Sequence, residues 1–163
     1  MRGFKIALFS LALTLAALPA FSAAKQGGYE AGGQLGAFFY GDKVDNMFGP
    51  SGNVLGYYTD QVAVGGRAEL GLGNDTAFSL LGEVQYNFPQ TGELIPYAGA
   101  LLGPSFVDHG DGTDISMKLG GLVGVKSYMR DNMAVFGEFQ MGFLAGDVSS
   151  TFFGVGVGCL FKL

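Results

Sequence analysis

The chain has 163 residues, 48% hydrophobic and only 14% charged, with 29 glycines, a mean hydropathy of +0.33 and a formal charge of −5. That length favours one domain, and the charged fraction falls well short of the quarter usual in soluble domains. The acidic balance argues against a nucleic-acid partner, and one cysteine, Cys159, permits neither an intramolecular disulfide nor a cysteine metal cluster.

The amino-terminal segment predicts export. Arg2 and Lys5 form a positive start, Ile6 to Leu18 an apolar core of secretory length, and Pro19 ends it before the small residues Ser22-Ala23-Ala24. Residues 1–24 are therefore expected to be a cleavable signal peptide and residues 25–163 the mature domain. Loss of Arg2 and Lys5 leaves 7 basic residues against 14 acidic ones, a formal charge of −7. Beyond this segment no run of about 18 apolar residues exists, so a membrane-spanning helix is not expected.

From Tyr29 onward the dominant period is two, which is a strand's period. Tyr29–Tyr40 alternates and is followed by the polar stretch Gly41 to Met47. Phe48–Tyr58 is the least regular segment, carrying Pro50 and several glycines, and Thr59-Asp60-Gln61 turns the chain. Val62–Gly73, the turn Asn74-Asp75 and Thr76–Phe88 come next. Pro89–Glu93 leads to Leu94–Phe106, and the acidic, glycine-rich loop Val107–Thr113 leads to Asp114–Met129. Arg130-Asp131-Asn132 precedes Met133–Ala145, Gly146–Ser149 follows, and Thr151–Leu163 closes the series. Eight segments long enough to cross a bilayer at the usual tilt predict an all-β fold, an eight-stranded antiparallel up-and-down transmembrane β-barrel.

Alternation also assigns faces. Leu35, Ala37, Phe39, Val62, Val64, Leu70 and Leu72 fall outward, as do Val123, Val135, Phe139 and Met141 further along. Inward fall Glu30, Gln34, Arg67, Glu69, Glu83, Gln85, Lys118, Lys126, Glu138, Gln140 and Lys162. Lipid enforces such sorting, because an outward Arg or Lys at the bilayer midplane costs ~2–4 kcal/mol. A barrel of eight strands is just wide enough for its own side chains to fill. Glu30, Glu69, Glu83 and Glu138 are therefore expected to meet Arg67, Lys118, Lys126 and Lys162 in a charge-compensated lumen network. Inward glycines such as Gly32, Gly71, Gly124, Gly154 and Gly156 would leave room for these long side chains. Tyr29, Tyr40, Tyr57, Tyr58, Tyr86, Phe88, Tyr97, Phe106, Tyr128, Phe143 and Phe161, all near strand ends, are expected in interfacial girdles.

The connections are short and several carry aspartate. Asp108-His109-Gly110-Asp111-Gly112-Thr113-Asp114 is the densest group, with Asp108, Asp111 and Asp114 as weak candidates for a divalent cation. It lacks the EF-hand spacing and closing glutamate, so neither a metal site nor a cofactor is expected. His109, the chain's one histidine, lies in this loop with no serine two residues away, and Cys159 is expected to face lipid, where a thiolate is disfavoured. No catalytic residue is expected, and the chain is not read as an enzyme.

In the closing segment Phe153, Val155, Val157, Cys159, Phe161 and Leu163 share one face, and Phe152, Gly154, Gly156, Gly158, Leu160 and Lys162 the other. Gly158, Phe161 and Leu163 resemble the carboxyl-terminal β-signal of outer-membrane barrels, polar-x-Gly-x-x-aromatic-x-aromatic, with Gly156 at its polar position and Leu163 in place of a terminal Phe. Pro96-Tyr97-Ala98-Gly99-Ala100, then Gly103, resembles the fifth-strand signature of the OmpA/OmpX/OmpW-like outer-membrane barrel family. Asp131-Asn132-Met133-Ala134-Val135 with Glu138-Phe139 is similar to that family's periplasmic turn and seventh strand. The resemblance spans essentially the whole mature chain. It implies an outer-membrane location in a Gram-negative envelope, both termini in the periplasm, and insertion by the barrel-assembly machinery. Outer-membrane lipid and lipopolysaccharide are the expected partners, nucleic acid is not, and a monomer is expected.

Three functions fit this reading. The leading one is a structural barrel for envelope integrity with a filled lumen. Porin-like or OmpW-like passage of small or apolar solutes is the second, and would need an apolar inner funnel built from Leu101, Leu122, Phe136, Phe152 and Leu160. A surface adhesion barrel is the third, against which the short loops stand.

Overall fold

A computed structural model describes residues 26–41, 44–89, 94–110 and 112–163; the expected signal peptide, residues 1–24, lies outside them. The described chain forms eight strands, β1 (Tyr29–Tyr40), β2 (Met47–Tyr57), β3 (Val62–Leu72), β4 (Thr76–Asn87), β5 (Leu94–Asp108), β6 (Thr113–Arg130), β7 (Met133–Gly146) and β8 (Ser150–Lys162). Each pairs antiparallel with its chain neighbour, and β8 returns to β1 from Glu30↔Lys162 to Tyr40↔Phe152, closing the barrel. Closure leaves no strand edge unpaired, which lipid requires because it offers no substitute hydrogen bonds.

The strands on one side run longer than the composition suggests. β5 and β6 stay paired through Val107↔Asp114 and Asp108↔Thr113, so the expected loop Val107–Thr113 shrinks to the residues between Asp108 and Thr113. The physical reason is inward burial: Val107 drops its side chain into the barrel mouth, and the ladder follows it. Asp108 and Asp114 consequently sit on strands, and Asp111 lies outside the described residues.

The prolines explain why β2 reads so weakly in the sequence. Pro50 pairs in register with Leu35 of β1, but the β2–β3 ladder skips from Phe48↔Leu72 to Ser51↔Glu69 with the register unchanged. Pro104 behaves alike, facing Met117 of β6 while the β4–β5 ladder skips from Ser79↔Ser105 to Gly82↔Leu102 with the register unchanged. A proline has no N–H to donate to a ladder. Here each gap falls on one flank only, and the opposite flank holds the strand in place.

The outer wall is apolar. Leu35, Val64, Leu72, Leu80, Val84, Leu102, Val123, Met141, Phe153 and Val157 all stand exposed on it, and Phe39 stacks on Phe153 at 4.8 Å. In a soluble protein a continuous apolar surface of this kind would be a liability. Around a barrel it is the lipid-facing belt. Polar side chains are meanwhile buried inside the barrel. Two apolar clusters lie inside: Val44, Met47, Ala77, Val107, Leu144 and Val148 at the loop end, and Leu81, Leu101, Leu122, Phe136 and Leu160 between mid-barrel and the terminal end.

Candidate functional site

The lumen is the densest concentration of chemistry in the molecule. Residues two apart on a strand face the same way, so β3 sends Arg67 and Glu69 inward, β4 sends Glu83 and Gln85, β6 sends Lys118 and Lys126, and β7 sends Glu138 and Gln140. All eight are buried. Arg67 lies at the centre. Its Nε and Nη2 donate to the two oxygens of Glu83 at 2.8 and 3.0 Å, while Nη1 and Nη2 donate to the two oxygens of Glu138 at 2.5 and 3.0 Å. The remaining direction of Nη1 points at Glu69, 3.9 Å away. A guanidinium has five N–H donors in a fixed planar fork, which is why one cation serves two carboxylates bidentately. β3 and β7 are four strands apart in a cylinder of eight, so the Arg67–Glu138 pair reaches across the full width of the barrel.

Amides and phenols complete this cluster. The Gln85 amide donates to Glu83 at 2.6 Å, Tyr97 Oη donates to Glu138 at 3.0 Å, and the Gln140 amide donates to both Glu69 and Glu138. Lys118 pairs with Glu69 at 2.5 Å and lies over the rings of Phe38 and Phe152, at 4.9 and 4.3 Å from their centroids. Rings against an ammonium supply quadrupole attraction where water is excluded. A second cluster lies toward the termini. Lys126 contacts Glu30 at 3.1 Å and donates to Tyr57 Oη at 2.7 Å; Tyr57 Oη donates to Glu30 at 2.7 Å, and Tyr128 Oη donates to the other Glu30 oxygen.

Seven of the eight expected lumen charges thus meet as side chains in ion-pair contact. Lys162 does not: it sits part-exposed at the terminal mouth, 3.7 Å over the Tyr128 ring, with no carboxylate in ion-pair distance among the described residues. The inward glycines make the fit possible. A Cβ on Gly124 would stand 2.4 Å from Tyr97 Cζ, and one on Gly156 would stand 2.7 Å from Gln34 Oε1.

Sequence reasoning misassigned several aromatic residues. Tyr57 and Tyr97 are buried lumen residues, Tyr128 packs inside beside them, and Tyr40 lies against Phe152 at 6.1 Å; none of the four belongs to an outer girdle. Position near a strand end suggested the girdle, but parity overrules it. Tyr97 shares the parity of Leu101, and Tyr128 that of Lys118 and Lys126, so the signal was present. Tyr29, Tyr58, Tyr86, Phe88, Phe143 and Phe161 do stand exposed outside. Asn53, whose Nδ2 lies 3.5 Å from Glu83, was missed because β2 lacks a clean alternation.

The remaining candidates fall elsewhere. Leu101, Leu122, Phe136 and Leu160 pack with Leu81, Tyr97 and Ala134 into one buried cluster, and Phe152 is taken up by Lys118. At the rim, Asp108 Oδ1 accepts from the Gly110 amide, and Asp114 faces His109 rather than Asp108. Gly110, at φ +90°, makes the tight course of this loop possible without side-chain strain. Among the described residues no group of three metal-ligating side chains converges, and Asp111, the third candidate, lies outside them. In the closing strand Phe161 is exposed outward, Gly158 packs against Gly33 and Gln34, and the Leu163 amide donates to Tyr29 O at 2.8 Å.

No protein-family model and no curated protein matches this sequence. Solved structures do match the fold. Neisserial surface protein A superposes with a TM-score of 0.70 at 15% identity, over 83% of this chain and 97% of that one. The N-terminal β-barrel domain of Pseudomonas aeruginosa OprF gives 0.61 at 19% identity, over 83% and 100%. A transmembrane β-barrel designed de novo gives 0.53 at 16% identity, over 88% and 100%. The fold is therefore that of the small eight-stranded outer-membrane barrels. A designed barrel among the matches is a reminder that this architecture carries no function by itself.

Proposed function

We propose that this chain is an integral outer-membrane barrel with a structural, envelope-supporting role and a lumen closed by its own side chains. The observation that carries the reading is the Arg67–Glu138 contact between opposite walls, joined by Glu83, Glu69 and Lys118. A pore needs a continuous water column, and a cross-lumen fork of buried ion pairs occupies that space. Cutting one such pair leaves an uncompensated buried charge, costing about 3–5 kcal/mol, so the network opposes opening. The apolar wall supports residence in lipid, and the short connections oppose a large adhesive surface. Apolar passage lacks support, since Leu101, Leu122, Phe136 and Leu160 pack into one cluster and Phe152 lies against Lys118.

The remaining assignments follow from this reading. Strands β1 and β8 would carry their termini on the periplasmic side, Gly158, Phe161 and Leu163 would present the assembly signal, and the rim would meet lipopolysaccharide. The barrel would act as a monomer and without catalysis. Two measurements test it. The protein should fractionate with outer membranes and migrate faster unheated than boiled. Purified barrel in planar bilayers should give no stable conductance steps above background. Recovery as a soluble periplasmic protein sinks the location, and large reproducible steps sink the closed lumen.

A further inference from the structure

At the loop end a single imidazole stands between two carboxylates. His109 Nδ1 lies 2.9 Å from Asp75 Oδ1, and its Nε2 lies 3.3 Å from Asp114 Oδ2. A neutral imidazole carries one N–H and one lone pair, so it satisfies one of these carboxylates and repels the other. Only imidazolium fits both. Asp75 reaches further: its Oδ2 accepts from the Asp45 amide at 3.4 Å. Three connections are therefore tied at one point, those following β1, β3 and β5.

The same three segments each contribute to the apolar cap beneath. Val44 adjoins Asp45, Ala77 lies two residues beyond Asp75, and Val107 lies two residues before His109; all three are buried in the cluster that also holds Met47, Leu144 and Val148. The fourth connection adds Val148 to the cap but has polar ties of its own, Asp147 on the Ile115 amide and Ser116 Oγ with the Val148 backbone. We infer that His109 is a pH-operated clasp that holds three loops, and the apolar cap under them, over the mouth of the barrel.

The groups facing the imidazole are Asp75 from the β3–β4 turn and Asp114 from β6. Asp45 and Asp108 lie close by on their own segments, while Asp42, Lys43 and Asp111 lie outside the described residues. The contact with Asp75 is the largest influence raising the imidazole above its usual 6.5, and attraction to Asp114 adds to it. For a group raised on folding, the contribution is complete below 6.5 and disappears as pH rises through the raised value. Release therefore comes as the pH rises above 6.5, not as it falls.

Because His109 is the single histidine, its imidazole NMR signals in the full-length barrel held in detergent micelles or nanodiscs report this titration directly. The midpoint should lie above 6.5. Across it, the amides of Asp45 and His109 should exchange hydrogen roughly two- to fivefold faster than base catalysis alone predicts, the scale expected for exposed ion pairs, while the Ile115 amide, held by Asp147, should not follow the step. D75N should lower the midpoint toward 6.5, and D114N should lower it by less. H109Q should abolish the step while the gel shift between unheated and boiled samples shows an intact barrel. A midpoint at or below 6.5, the absence of a step, or a step that survives in H109Q overturns the clasp. These outcomes leave the closed lumen untouched, since conductance reads that separately.

Discussion

Arg67 and His109 are the same device in two settings. Each is a planar cation gripped by two carboxylates, Glu83 and Glu138 around Arg67, Asp75 and Asp114 around His109. Arg67 is buried in the middle of the barrel, bonded bidentately on both sides and permanently charged. His109 is only part-exposed at the rim and holds its proton to a pH above the usual 6.5. In the interior water cannot replace a lost partner, so the network must be complete at every pH. At the surface water replaces a lost partner cheaply, so the clasp can open. Burial turns the first arrangement into a structural element and exposure turns the second into a responsive one.

Substitution breaks this comparison most sharply at Arg67. R67M leaves Glu83 and Glu138 without their shared cation and should lower unfolding stability in urea by about 3–5 kcal/mol. A stability change below about 1 kcal/mol would mean that the buried pairs are dispensable. R67K keeps the charge but loses the double fork, and should fall between wild type and R67M. The outer wall offers the converse case, a place where no cation has a partner. V157R, at a position 69% exposed on the lipid side of β8, should cost ~2–4 kcal/mol in lipid vesicles, and no cost would argue that this face does not meet lipid. Y57F removes the hydroxyl between Glu30 and Lys126 and should cost about 1–3 kcal/mol, measured by the same urea titration. H109Q comes last: global unfolding should be unchanged within error, while the pH step in loop exchange disappears.

Much of this architecture was legible before any coordinates. A period of two located eight strands, and parity separated lipid-facing from lumen-facing residues on seven of them. Pro50 and the glycines of β2 hid the eighth pattern, which is why Asn53 and Tyr57 were not placed inside. Strand ends were harder, because pairing continues wherever an inward side chain such as Val107 gains burial, whatever the residues beside it suggest. The clasp was illegible for another reason. Asp75 and His109 are distant in sequence, and Asp108 and Asp111 looked like nearer partners for a cation than His109 did for Asp75.

By itself the sequence determined which residues face lipid and which face the interior, since alternation is a local property and lipid tolerates no error in it. It also pointed four acids and four bases inward, of which all but Lys162 are buried. Only the closed barrel decided which of them meet. Arg67 and Glu138 stand 71 positions apart and Lys126 and Glu30 stand 96 apart. Their meeting depends on strand register around the whole circumference, which no local pattern encodes. The same closure left Lys162 at the mouth, over Tyr128, instead of in an ion pair.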